Sequence, residues 1–129
     1  MGKKTLVFVD DSETVLMAAE MSIKPLVDKG LVELQTFKDP LELLDAVDRG
    51  LVYDLLITDV NMPQMNGLEM AQRLKSNPNV KLKPILALTT ETSPQKKMIA
   101  KKIGLTGWVT KPFTPEKLLM AVKRVLRIR

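Results

Sequence analysis

The sequence predicts an α/β fold, a single domain over residues 1–129 built on a five-stranded parallel sheet with helices on both faces. Three observations carry that prediction. Short apolar runs alternate with longer stretches whose apolar residues recur at three- and four-residue spacing. Several of the runs lack in-out alternation, as strands covered on both faces do. The longer stretches open and close on residues that start and stop helices.

Thr5–Val9 is the first strand. Leu16, Ala19, Ile23 and Leu26 follow as one helical stripe, in which the late Pro25 removes a hydrogen-bond donor and predicts a kinked or shortened last turn. Val32–Phe37 is the second strand, after which Asp39-Pro40-Leu41-Glu42 supplies an N-cap, a proline at the first helical position and an acid at the third. Gly50 suits the far end of that helix. Leu55–Thr58 is the third strand, and Leu68, Ala71 and Leu74 stripe the third helix. Ile85–Thr89 leads to Ser93-Pro94, which opens a fourth helix running to Ile103 and stopping at Gly104. Trp108–Thr110 is the last strand, and Thr114-Pro115 starts a helix lined inside by Leu118, Leu119, Val122, Val125 and Leu126. Such alternation implies right-handed crossovers and a site at the carboxyl ends of the strands.

Composition narrows the chemistry. A chain of 129 residues with a 45% hydrophobic fraction fills one core. Without Cys there is no disulfide framework, thiolate metal site or cysteine nucleophile, and without His the commonest general base and metal ligand are gone. Carboxylates, hydroxyls and amines must do the work. Leu6-Val7-Phe8-Val9 is too brief for a signal sequence or a membrane span, so a cytoplasmic protein without membrane insertion is expected. The net charge of +5 mildly favours acidic partners.

The residues that follow each strand are Asp10-Asp11, Asp59, Thr89-Thr90 and Lys111-Pro112. Three carboxylates brought together repel by roughly 4 kcal/mol per close pair at a surface-like dielectric, so they need a cation. An all-oxygen donor set points to Mg²⁺, which keeps several waters and completes its shell with phosphate oxygens. Asp59 is then the candidate nucleophile for an acyl phosphate. Lys111 supplies a point charge for a phosphoryl oxygen, and Thr89 a hydroxyl for another. Singly, each has an ordinary reading: Asp10-Asp11 as a helix N-cap pair, Asp59 as a strand-end turn residue, Thr89 as a strand threonine, Lys111 as a solvated lysine. Only their joint placement argues for a site.

Asp10-Asp11, Asp59 within Asp59-Val60-Asn61-Met62-Pro63, Asn66-Gly67, Thr89 and Lys111-Pro112-Phe113 together resemble the receiver domain of two-component response regulators, with the flavodoxin-like (βα)5 fold. The resemblance covers essentially the whole chain and is greatest to the stand-alone chemotaxis type, which has no output domain. It implies a phosphorylation-activated switch: Asp59 accepts a phosphoryl group from a histidine kinase, and the protein then alters its binding to a downstream target, as a monomer. The implied metal ligands are Asp11 directly, Asp10 through water, Asp59, and the main-chain carbonyl of Asn61. Lys111 would bridge the carboxylates and later the phosphoryl group. Thr89 would be the switch hydroxyl, its inward motion making room for the aromatic at position 108. Family members usually carry Tyr, Phe or His there; this chain has Trp108. A cis Lys111-Pro112 peptide is also implied. The protein would then be no turnover enzyme, only a phosphoacceptor with self-phosphorylation and autodephosphorylation activity.

A phosphorelay intermediate that passes phosphate to a histidine phosphotransfer protein is the nearest alternative. A phosphatase with an aspartyl nucleophile would want an acid two residues beyond Asp59, where Asn61 stands, and a flavin phosphate would be repelled by Asp10-Asp11. Two basic clusters remain: Lys96, Lys97, Lys101 and Lys102 on the fourth helix, and Lys117, Lys123, Arg124, Arg127 and Arg129 on the last. Each reads either as a solvated helix face or as a docking surface. No DNA-binding motif or aromatic platform accompanies them, so nucleic acid is not expected as a partner.

Overall fold

A computed structural model describes residues 2–129. Its elements run β1 (Lys4–Val9), α1 (Glu13–Asp28), β2 (Val32–Phe37), α2 (Pro40–Asp48), β3 (Leu55–Thr58), α3 (Gly67–Ser76), β4 (Ile85–Thr89), α4 (Pro94–Ile103), β5 (Gly107–Thr110) and α5 (Pro115–Leu126). The strands form one sheet in the order β2-β1-β3-β4-β5, every neighbouring pair parallel. The chain reverses direction across the sheet after β2, so the crevice beside β1 and β3 is the expected place for a site.

Both sheet faces are covered, which is why the strands read as continuous apolar runs. Leu6 and Phe8 of β1 point to the face packed by Leu16, Ile23 and Leu26 of α1 and Leu118, Val122 and Leu126 of α5. Val7 and Val9 point to the other, beneath Leu43 of α2 and Met70, Ala71 and Leu74 of α3. A third, small cluster of Val60, Leu68, Ala87 and Ala100 lies under α4.

Side-chain oxygens cap all five helices: Ser12, Asp39, Asn66, Ser93 and Thr114 accept from backbone N–H groups two or three residues on, each contributing about 1 kcal/mol. Gly50 and Gly104 sit at positive φ just beyond α2 and α4, as expected.

Of the two effects expected of Pro25, shortening of the helix is not found: α1 continues to Asp28. Met21, whose carbonyl loses its donor, and Pro25 itself are both exposed residues, so the lost bond falls on the solvent side of the helix. The chain then leaves the helix through a Gly30 N–H bond to the Val27 carbonyl (2.9 Å) and a Leu31 N–H bond to that of Leu26 (3.0 Å). No helix among the described residues is long and apolar enough to cross a membrane.

Candidate functional site

The ends of β1, β3 and β5 bring Asp10, Asp59 and Lys111 together. Asp10 is fully buried and Asp59 nearly so, while Asp11 is exposed. Carboxylate oxygens from these three acids lie within 4.8 Å of one another. Lys111 Nζ reaches between two of them, 2.7 Å from Asp10 Oδ2 and 3.2 Å from Asp59 Oδ2. The Lys111–Pro112 peptide beside it is cis.

Local bonds hold Asp10 and Asp59 in place. Asp10 Oδ1 accepts from Ser12 N–H (2.9 Å), and Ser12 Oγ in turn accepts from Val15 N–H (3.3 Å). The N-cap of α1 is therefore Ser12; Asp10 and Asp11 are not a capping pair, because the helix begins a residue too late. Asp59 Oδ1 accepts from Val60 N–H at 2.7 Å, leaving Oδ2 to Lys111. The Asp59 carbonyl accepts from the Thr58 hydroxyl at 2.8 Å. Gly67 packs so close to that carbonyl that a Cβ would overlap it, and its N–H donates to the Val60 carbonyl at 2.7 Å. A glycine is needed there because α3 begins against the strand-end backbone itself.

Electrostatics follow from burial and pairing. Burial pushes the Asp10 carboxyl above its ordinary value, against the opposing pull of Lys111 and the Ser12 N–H. Burial alone would lower Lys111, but its contacts with Asp10 and Asp59 outweigh this and hold the ammonium above its usual range. A protonated Lys111 thus sits between the two acids, its charge favoured by both neighbours.

A second network adjoins the first through Glu91, which sequence reasoning missed. Asn61 Nδ2 donates to Glu91 Oε1 (3.0 Å), Lys96 Nζ contacts both Glu91 Oε1 (2.9 Å) and Asn61 Oδ1 (2.8 Å), and Ser93 N–H donates to Glu91 Oε2 (3.0 Å). The Asn61 amide foremost, then Lys96 and the Ser93 N–H, draw the Glu91 carboxyl down to about 2. Thr89 is fully buried at the tip of β4, and its Oγ1 accepts from Glu91 N–H at 3.1 Å. Trp108 is half-buried and its Nε1–H donates to the Glu91 carbonyl at 3.2 Å. Lys111 N–H donates to the Thr89 carbonyl at 2.9 Å, joining the two networks. Glu91 could have been suspected from its place alone, two residues beyond Thr89 on a loop leaving a strand's carboxyl end.

Asp10, Asp11, Asp59 and Lys111 therefore form one cluster. Asn61, Thr89 and Trp108 border it through Glu91, and the Thr89 hydroxyl bonds to no side chain of the acid cluster. The oxygen-only donor set of buried Asp10 and Asp59 and exposed Asp11 fits a hard divalent cation.

Comparison with known proteins agrees with this arrangement. The family model for the response regulator receiver domain matches residues 6–123. Chemotaxis protein CheY1 of Helicobacter pylori is 34% identical over 121 residues, covering 94% of this chain and 95% of that protein. The chemotaxis protein CheY homolog of Campylobacter jejuni is 31% identical, covering 94% and 91%. The solved structure of chemotaxis response regulator CheY4 of Vibrio cholerae superposes with a TM-score of 0.81 at 40% identity, covering 95% of this chain and 98% of that one. Sequence, fold and site geometry agree: the chain belongs to the response regulator receiver domain family.

Proposed function

We propose that this receiver domain is a phosphorylation-activated switch of the chemotaxis type, taking a phosphoryl group onto Asp59 from the phosphohistidine of a histidine kinase and changing its affinity for a downstream protein. The observation that carries this reading is Lys111 Nζ held between two buried carboxylates, 2.7 Å from Asp10 and 3.2 Å from Asp59. A lysine so placed orients one oxygen of Asp59 and stands ready for an incoming anion.

In transfer, an oxygen lone pair of Asp59 forms the new O–P bond while the P–N pair returns to the donor imidazole. Asp10, Asp11, Asp59 and the main-chain carbonyl of Asn61 would hold Mg²⁺, which when bound neutralises charge on the phosphoryl oxygens. Lys111 stays protonated and bonds one of those oxygens. Thr89 exchanges its present role as acceptor from Glu91 N–H for that of a donor to the phosphoryl group, which frees the loop that also receives Trp108 Nε1. Binding is thereby altered in a cytoplasmic setting, with no second copy required. A few kcal/mol of charge-assisted bonding suffices for such a shift.

Acetyl phosphate with Mg²⁺ tests the chemistry. Mass spectrometry should record one added phosphoryl group on the wild type and none on Asp59→Asn. An unmodified wild type, or equal modification of the variant, refutes the reading.

A further inference from the structure

Only Ala100 of α4 is buried. Met98 and Ile99 are 60% and 47% exposed on a helix that carries Lys96, Lys97, Lys101 and Lys102 and no acid. Between α4 and α3 runs a groove of about 550 Å³, with Leu68, Ile99 and Ile103 as its apolar wall and Lys96 and Lys102 along the α4 rim. The α3 rim offers Glu69 and Gln72, and Glu69 is already taken up by Arg73 at 3.4 Å. Lys102 has no ion-pair partner among the described residues.

We propose that this α3–α4 groove docks an acidic amphipathic helix of a partner protein, its apolar side chains against Leu68, Ile99 and Ile103 and its carboxylates on Lys102 and Lys96. The shape suits that occupant, because a cleft between two helices takes the apolar stripe of a third. The charge decides its sign: the rim presents one unpaired ammonium and a second, Lys96, that an incoming carboxylate can share with Glu91. Nucleic acid fits poorly, since the groove contains neither an aromatic side chain nor an arginine to stack a base. This surface is separate from the acid cluster, and docking there does not depend on phosphorylation of Asp59. It does have a route to the site, because Lys96 also bonds Asn61 and Glu91.

Selection of the unmodified protein against a displayed library of random peptides of about 16 residues, roughly four helical turns, tests the proposal. Enriched peptides are expected to carry apolar residues at helical spacing flanked by Asp or Glu. Titrated as synthetic peptides, they should shift the backbone NMR signals of Leu68, Gln72, Ile99, Lys102 and Ile103. Ile99→Glu and Lys102→Glu, both at exposed positions, should keep a wild-type far-ultraviolet spectrum and weaken binding about tenfold or more; replacing the peptide acids by Gln should do the same. Absence of enrichment, basic or non-helical binders, signal changes centred on β5 and α5 instead, or a protein that dimerises through this groove would each overturn the proposal.

Discussion

The layer formed by α1 and α5 and the corner occupied by α4 meet the same sheet in opposite ways. Beneath α1 and α5 a continuous apolar slab joins Leu16, Ala19, Ile23 and Leu26 to Leu118, Val122 and Leu126 across the inner side chains of β1, β3 and β4. Beneath α4 the buried contacts are Val60, Leu68, Ala87 and Ala100, half of them alanines. Burial at about 25 cal/mol per Å² makes the first region a stability element and leaves the second weakly held. The weakly held corner carries Thr89, Glu91, Lys96 and Trp108 in one bonded chain running to Asn61. Regions that rearrange are drawn from the low-stability end of a fold, and here that end adjoins the candidate phosphorylation site.

One rigid point interrupts the looser side, and breaking it should have the largest effect. Gly67→Ala forces a Cβ onto the Asp59 carbonyl; we expect a loss of about 4 kcal/mol or outright misfolding, read by urea denaturation. Leu118→Ala in the α5 layer should cost about 3 kcal/mol in the same experiment, whereas Ile99→Ala on α4 should cost under about 0.5 kcal/mol; equal costs would erase the contrast. Native-state hydrogen exchange sharpens it further, with α4 amides expected to exchange about a hundredfold faster than those of α1 and α5.

Asp10→Asn tests stability sacrificed at the site. Because burial raises the Asp10 carboxyl above 3.8, the folded protein binds this proton more tightly than the unfolded chain, so stability falls as pH rises from 3.8 through the folded value. In EDTA at neutral pH the variant should be more stable by about 1 kcal/mol, with a flatter pH dependence above 3.8. The smallest effect is expected for Lys96→Ala: unfolding within about 0.5 kcal/mol of wild type, with a shift in the fluorescence of the single Trp108, whose indole is tied to the Glu91 loop. Unchanged emission would mean that the loop is held without Lys96.

Much of this was legible before any coordinates. The two periodicities separated strands from helices because covered strands and amphipathic helices bury different spacings, and the residues after each strand named Asp10, Asp11, Asp59, Thr89 and Lys111. Pro25 did not mark the end of α1, because its cost depends on whether the orphaned carbonyl reaches water, a question about exposure. Ser12 as N-cap was hidden behind the two acids before it. Glu91 was passed over because its one signal was its place two residues beyond Thr89, and its partners Asn61 and Lys96 come from other elements.

What the chain determined by itself was the order of elements and the kinds of side chain at the strand ends, since both follow from short-range patterning and capping. Only the tertiary structure decided that Lys111 lies between Asp10 and Asp59, 101 and 52 residues away along the chain, and that Glu91 gathers Asn61, Lys96 and Trp108. Those contacts join residues distant in sequence, and parallel strand order sets which of them meet.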